Sequence, residues 1–511
     1  MHNSVLSVIT GFLIAISTAS TSIYAQISNT DVQKLGLETA WRAQLQVPRR
    51  GAGIIAVKFW VSDESPREFA SVELGNRTVR VSASELDSDG KSLGLENAKA
   101  AALKRASKLA GSANNLEIIE TKIPRIYMVV ATSDGLIQTL DAESGEVLWR
   151  SACGEPNLIC HAADVCAAGV TVVQGDNYYV LDWRNGKIVS VQKMRHWNSN
   201  AMVNCPPIDF EQGAKPVTIS FITDFRGYVT SMGVENPIRY WSFLMQGNIT
   251  GEPVALSKQA ICAIATDANK VFFFRGGNRP LIANRFDSST PIVEGLATGN
   301  DAIYVATTGG VIAKIAFGDA HVEPVWEMRS GRTLVTKPLI VGEQVFVATE
   351  AGSLIAINDL DGQLQWMEKE QEIVQPLAVV GNSLYCSTNY GEIAAFDIDS
   401  GNPIFRSSPI EIGLPIVNKV DDRLYLLSAT GQLTCLRAEG NEFPTLIEPV
   451  ELKSPTEENM VPASNYGNTP TEPAPEMLDN TFNPFGTGSS SENQPATGTA
   501  PTEDPFSLSP F

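Results

Sequence analysis

Cysteine, histidine and positive charge are all scarce in this chain. Seven cysteines in 511 residues fall far below the density of a disulfide-built scaffold. Four histidines leave few candidates for a general base, and His196 and His321 read as surface residues in repeat turns or loops. There is no C-x-x-C-H for covalent haem, no G-x-S-x-G nucleophile elbow and no G-x-x-x-x-G-K-[ST] phosphate loop. Lys plus Arg total 38 against 57 Asp plus Glu, a net charge of −19. That balance argues against nucleic acid and anionic membrane surfaces, which need a cationic face. Beyond the amino terminus no apolar run reaches the ~18 residues of a membrane-spanning helix, so no span is expected in the mature chain. Hydrophobic residues at 43% and charged residues at 19% still permit a large core and exclude global disorder.

What is present starts with a leader. Val5 to Ile16 is a short apolar run followed by small residues. It is too short to span a bilayer and reads as a signal peptide over 1–25, cleaved after Ala25 or Ala19. An uncleaved anchor is the alternative, since no Lys or Arg precedes the run. Export to the periplasm or cell envelope makes disulfides possible. Cys153, Cys160, His161, Cys166 and Cys205 are the candidate disulfide or ligand cluster, with Asp164 among them. Three readings stand: a structural disulfide, most simply Cys153 with Cys160, free buried thiols, or a metal site. Cys262, Cys386 and Cys435 lie in apolar strand-like runs and read as buried thiols.

From residue 125 onward the chain repeats. Each unit has a β-rich run, a turn, a second run, a second turn and a third run. The first turns fall at Gly135, Asp176, Gly227, Asn269, Gly310, Gly352, Gly391 and Gly431, at intervals of 39 to 51 residues. Eight units of about 42 residues with period-2 apolar patterning predict four-stranded propeller blades. A second motif spaces an acid or amide, a glycine and an aromatic residue by four and four. It appears as Asp141, Gly145, Trp149, as Asn358, Gly362, Trp366, and as Asp397, Gly401, Phe405. Asp182 and Gly186 keep the spacing, with Ser190 in the aromatic place. The first residue can accept bonds from the turn backbone, glycine makes the turn, and the aromatic residue packs on the next blade. Trp241 and Trp326 look like the same position in diverged repeats.

This motif resembles the tryptophan-docking repeat of pyrroloquinoline-quinone-type β-propellers, over roughly residues 36–450. The resemblance implies an all-β, eight-bladed propeller of four-stranded antiparallel blades, which agrees with the eight turns counted. It implies one of two functions. The first is a non-enzymatic exported propeller that binds protein partners, similar in type to the propeller lipoprotein of the outer-membrane β-barrel assembly machinery and carrying no cofactor. The alternative is a quinone- and calcium-dependent dehydrogenase with a degenerate site. The adjacent cysteine pair of that enzyme branch is missing, and its calcium ligands match no residue here. The assembly propeller's lipid-attachment cysteine is missing too.

The expected organisation is a propeller over 26–450. A strand within 36–47 bearing Trp41 closes the ring, or else the segment Pro444–Val450 does so. Residues 63–123 read as an insertion whose Leu95, Ala98, Ala102, Ala106 and Leu109 form the apolar side of a basic amphipathic helix. That helix either packs on the propeller rim or contacts a partner. Residues 451–511 hold ten of the 29 prolines and nine acids against Lys453 alone, a composition that cannot bury a core and reads as disordered. Asn483-Pro484-Phe485 and Asp504-Pro505-Phe506 within it are candidate docking motifs, or parts of a plain solubilising tail.

Overall fold

The hairpin turns organise this structure. At the first turn of the unit that begins the repeats, Gly135 N–H donates to the Thr132 carbonyl (3.0 Å), and Leu136 N–H donates to Thr132 Oγ1 (3.0 Å). Gly135 sits at φ 86°, a left-handed conformation that suits a residue without Cβ. The same pair of bonds recurs at Thr307/Gly310, Thr349/Gly352, Thr388/Gly391 and Ser428/Gly431. Asp224 does the same for Gly227 through its carboxylate, with Tyr228 N–H at 2.8 Å. The hydroxyl or carboxylate three residues before the glycine therefore belongs to the turn motif. The unit expected to turn at Asp176 differs. Gln174 pairs directly with Asn177 there, and Gly175, at φ 59°, supplies the positive dihedral.

A computed structural model describes residues 27–448, apart from short loops at 48–52, 75–76, 111–115, 195–198, 209–214, 257–259, 294, 318–323 and 369–371. The leader, the carboxy-terminal segment 451–511, His196 and His321 lie outside the described residues. The hairpins assemble into eight antiparallel sheets, seven of four strands and one of five. Each contributes one blade of a ring, and the apolar clusters fill the spaces between successive sheets. The last blade contains Leu414–Pro415, Leu424–Leu427 and Gln432–Ala438, and its outermost strand is Leu37–Gln44 from the amino terminus. The first and last described parts of the chain thus share one sheet, and no blade is left with three strands.

Tryptophan joins one blade to the next. Trp41 Nε1 donates to the Ala142 carbonyl (2.9 Å), Trp149 to Trp183 (2.7 Å), Trp326 to Asp359 (2.8 Å) and Trp366 to Ile398 (2.9 Å). Each of these indoles lies flat over the turn glycine of the following blade: Gly145, Gly186, Gly362 and Gly401 respectively. A Cβ on any of these glycines would stand 2.3–2.7 Å from the ring. The acid or amide of the motif holds the same turn. Asp141 Oδ1 accepts from Glu143 and Ser144, Asn358 Oδ1 from Leu360, and Asp397 Oδ1 from Ser400. Trp241 also reaches forward, to the Gly277 carbonyl (3.1 Å). Phe405 has no indole to donate; it packs against the cluster of Val32, Leu35 and Leu37, with Lys34 5.3 Å above its ring.

Residues 63–123 are built differently from the expected insertion. Ile54–Leu74 is one strand of 21 residues. Its first half pairs with Arg125–Thr132 as the innermost strand of the first blade, and its second half pairs with Ile118–Ile123 beyond the blade. Arg77–Ser82 adds a further strand to that outer half. The helix Gly94–Ala110 covers this extension. Ala98, Ala102 and Ala106 are fully buried against Ala70, Val72 and Val81. The helix therefore packs on its own hairpin rather than on the propeller rim. Small side chains at a spacing of four let the helix axis approach the sheet closely. Leu109, expected on this face, is 62% exposed. Part of the basic face is neutralised, since Lys99 pairs with Glu96 and Glu120, and Arg105 with Glu85.

Candidate functional site

The innermost strands bring together charges that are far apart in the sequence. Residues of all eight blades line a central cavity of about 430 Å³, among them Lys58, Asp164, Glu252, Lys337 and Lys419. Lys58 Nζ donates to Glu252 Oε2 at 2.8 Å. Burial opposes the Lys58 charge, but Glu252 and Asp164 outweigh it and hold the ammonium above its ordinary value. Burial likewise pushes Glu252 up, and Lys58 more than offsets this, so its carboxyl lies below its usual value. Asp164 is raised by burial, against the pull of Lys58 and of the Asn204 N–H that donates to its Oδ2 (2.7 Å). Lys419 touches the solvent of the cavity but is walled in by protein. It donates to the Thr298 carbonyl (3.1 Å) and Oγ1 (2.6 Å). Burial pushes it down to about 8; Glu448 resists, while Lys337 and Lys58 add to the depression.

This donor set does not suit a quinone–calcium centre. Calcium takes six to eight oxygen ligands. The cavity offers two carboxylates from different blades, one committed to Lys58 and the other to the Asn204 amide. Three ammonium groups nearby oppose a divalent cation. Among the described residues no group of three or more His, Cys, Asp or Glu is placed to hold a metal.

The sequence-predicted cysteine cluster is divided between different parts of the core. All seven cysteines are free thiols in this structure. Cys153 and Cys160 share the apolar cluster between the first two blades with Trp149 and Val165. Cys166 belongs to the next cluster, beside Met202 and Tyr178, and its thiol faces the Gly169 carbonyl at 3.5 Å. Cys205 lies with Cys262 one cluster further on. Burial pushes Cys153, Cys160 and Cys166 up to about 12 and raises Cys205 as well, which disfavours the thiolate needed for metal binding or exchange. His161 is half-buried, and burial lowers its pKa.

The channel lysines carried no sequence signal of their own. Asp164, Glu252, Lys337 and Lys419 each fall twelve to seventeen residues before the turn anchor of their repeat. A shared phase in the repeat was therefore the only clue that they face one axis.

The repeat motif also meets a titrating group. Glu143, in the turn held by Asp141, faces Arg423 at 3.8 Å. Burial raises its pKa from 4.5 to about 7, with Arg423 and Arg67 opposing, and Asp421 and Asp141 adding to the rise. The folded state therefore holds a proton that the unfolded state has lost between about pH 4.5 and 7. Stability must fall as pH rises through that window. Glu143→Gln is expected to stabilise the protein at pH 8 by about 2 kcal/mol and to change little at pH 4. Urea midpoints at the two pH values measure this, and an equal effect at both would refute the assignment.

Residues 282–408 match the model of the family described as outer membrane protein assembly factor BamB. No curated protein matches the chain. Among solved structures, BamB from Moraxella catarrhalis is 15% identical, with 61% of this chain and 92% of that one covered and a TM-score of 0.48. The computationally designed Ika8 protein is 14% identical, with 60% and 92% covered and a TM-score of 0.45. Sqt1 of Saccharomyces cerevisiae is 8% identical, with 62% and 92% covered and a TM-score of 0.47. Eight closed blades with indole-on-glycine junctions make the described part of this chain a β-propeller, and the family match covers residues 282–408 of it.

Proposed function

We propose that this chain is an exported, non-enzymatic propeller that serves as a protein-interaction scaffold in the cell envelope, with outer-membrane protein assembly as its process. The observation that carries the proposal is the match of residues 282–408 to the assembly-factor family. Two features of the chain support it. The leader-like run Val5 to Ile16 directs export, and a ring braced at its blade junctions is a rigid mount for loops, the segments on which binding functions concentrate. The dehydrogenase reading is the weaker one, because Glu252 is paired with Lys58, Asp164 accepts from the Asn204 N–H, and three lysines of the cavity oppose a divalent cation.

Two measurements on protein purified from its own host without chelators test the proposal. The ultraviolet–visible spectrum is expected to show only the aromatic band, and elemental analysis no stoichiometric calcium. A bound chromophore with one calcium per chain would overturn the scaffold reading. Crosslinking in intact cells, followed by mass spectrometry, is expected to recover outer-membrane assembly components. Recovery of the chain alone, or of cytoplasmic proteins only, would refute the envelope role.

A further inference from the structure

The hairpin extension forms a cleft with the last described segment of the ring. Its volume is about 270 Å³, and it lies between the outer half of the Ile54–Leu74 strand, the strand Ile118–Thr132 and residues 442–444. Four arginines line it: Arg67, Arg80, Arg125 and Arg437. Its apolar wall includes Phe69, Ile123, Ile126 and Phe443, with the two phenyl rings 4.9 Å apart. Such a concentration of guanidinium groups is unexpected on a chain of net charge −19.

Three of the four arginines have carboxylate partners. Arg67 pairs with Asp141, Arg80 with Glu442, and Arg437 Nε with Glu38 at 2.8 Å. Arg80 also lies over the Phe443 ring, 3.9 Å from its centroid. Arg125 is the exception. It has no ion-pair partner among the described residues, and its Nε is buried without a hydrogen-bond acceptor. That Nε has no accessible surface, so an incoming carboxylate meets the terminal N–H groups of the same guanidinium, for which the described residues supply no acceptor. Of the two acids that line the cleft, Glu442 pairs with Arg80 and Glu143 faces Arg423 at 3.8 Å.

We propose that this cleft binds a carboxylate-bearing, apolar segment of a partner protein, with Arg125 as the residue that receives the carboxylate. A guanidinium presents a planar fork of N–H donors that matches the two oxygens of a carboxylate. The phenyl and isoleucine wall then selects a carboxylate flanked by apolar or aromatic side chains. A nucleic acid fits poorly, because a chain of phosphates would meet the acidic remainder of the protein. The inference rests on the scaffold reading and adds to it the chemistry of one contact.

The test uses the full-length mature protein and fluorescein-labelled twelve-residue peptides of alternating Glu and Phe, Lys and Phe, or Glu and Ser. Fluorescence anisotropy is expected to show saturable binding of the Glu/Phe peptide and at least tenfold weaker binding of the other two. Arg125→Gln should weaken the Glu/Phe peptide about tenfold, and Arg125→Glu should abolish its binding. Arg125→Glu places a carboxylate among three arginines and is expected to fold, as circular dichroism and the urea midpoint will show. Unchanged affinity in both variants, or equal binding of all three peptides, would overturn the proposal. The same variants in the cellular crosslinking experiment separate the two readings. Envelope partners still recovered with both variants would sink the cleft and leave the scaffold standing. No partner recovered even with the unaltered chain would sink the scaffold.

Discussion

Arg423→Ala is expected to destabilise the protein by about 3–5 kcal/mol, the cost of stripping a buried charge network of one partner. The Arg423 side chain is only 1% exposed. Its Nη1 donates to the Asp422 carboxylate at 2.9 Å, and its Nη2 donates to the carbonyls of Asn441 and Glu442 at 3.2 and 3.3 Å. It also faces Glu143 of the first blade at 3.8 Å. One guanidinium thus ties the last blade, the segment that follows it and the first blade together at the ring's closure. Without it, Glu143, Asp421 and Asp422 would repel one another in a site with little water. The penalty should shrink at low pH. Burial raises Asp421 to about 6 and Glu143 to about 7, so below pH 5 both are protonated and Arg423 has less to neutralise. Chemical denaturation of wild type and variant at pH 5 and pH 8 reads this directly. A loss below 1 kcal/mol at pH 8, or one independent of pH, would show that the network is not what holds the closure.

The second large effect is expected where Trp41 meets Gly145. Trp41→Ala removes a buried indole, its bond to Ala142 and the packing of the closing strand on the first blade. Loss of such a side chain costs about 3–5 kcal/mol. Gly145→Ala should cost about 3 kcal/mol, because overpacking adds to the strain of a left-handed backbone. Gly145 stands at φ 71°, and a Cβ there would lie 2.3 Å from Trp41 Cε3. The two substitutions must couple. Once the indole is gone, Gly145→Ala retains only its backbone strain, so the double variant should be at least 1 kcal/mol more stable than the sum of the single losses predicts. Strict additivity would mean that the ring does not rest on the glycine. The equivalent cycle at Trp366 and Gly401 is expected to behave alike, because the same contact recurs there.

Much of this architecture was legible in the sequence because the propeller is encoded by short-range events repeated eight times. A turn such as Thr349 to Ser353 closes through bonds between residues three and four apart. Its glycine, at φ 77°, is required by the turn's own backbone, although the Glu372 backbone also leaves no room for a Cβ there. The period and the number of blades follow from such local requirements, and the docking motif at Asp141, Gly145 and Trp149 is legible because its fixed spacing recurs, even though its contacts cross between blades. Where a local pattern was weak, the reading slipped. Asp176 looked like a turn anchor, but Gly175 takes the positive φ, because that hairpin uses a tighter turn than its neighbours. Likewise Leu109 fits the helical stripe but projects into solvent, since the sheet beneath the helix is covered by Ala98, Ala102 and Ala106.

Tertiary structure alone decided which charges meet. Lys58, Glu252 and Lys419 come from three different blades and share one cavity only because the ring closes. Cys153, Cys166 and Cys205 are near one another in sequence yet separate into three clusters, because successive strands face different inter-blade spaces. Arg125 and Phe443 are brought to one cleft by a strand that continues past its blade. The sequence by itself determined the repeating unit, since hydrogen bonds within a hairpin and the dihedral freedom of glycine act over a few residues. The fold decided the sites, since side chains hundreds of residues apart acquire neighbours only when every blade is in register and the ring is shut.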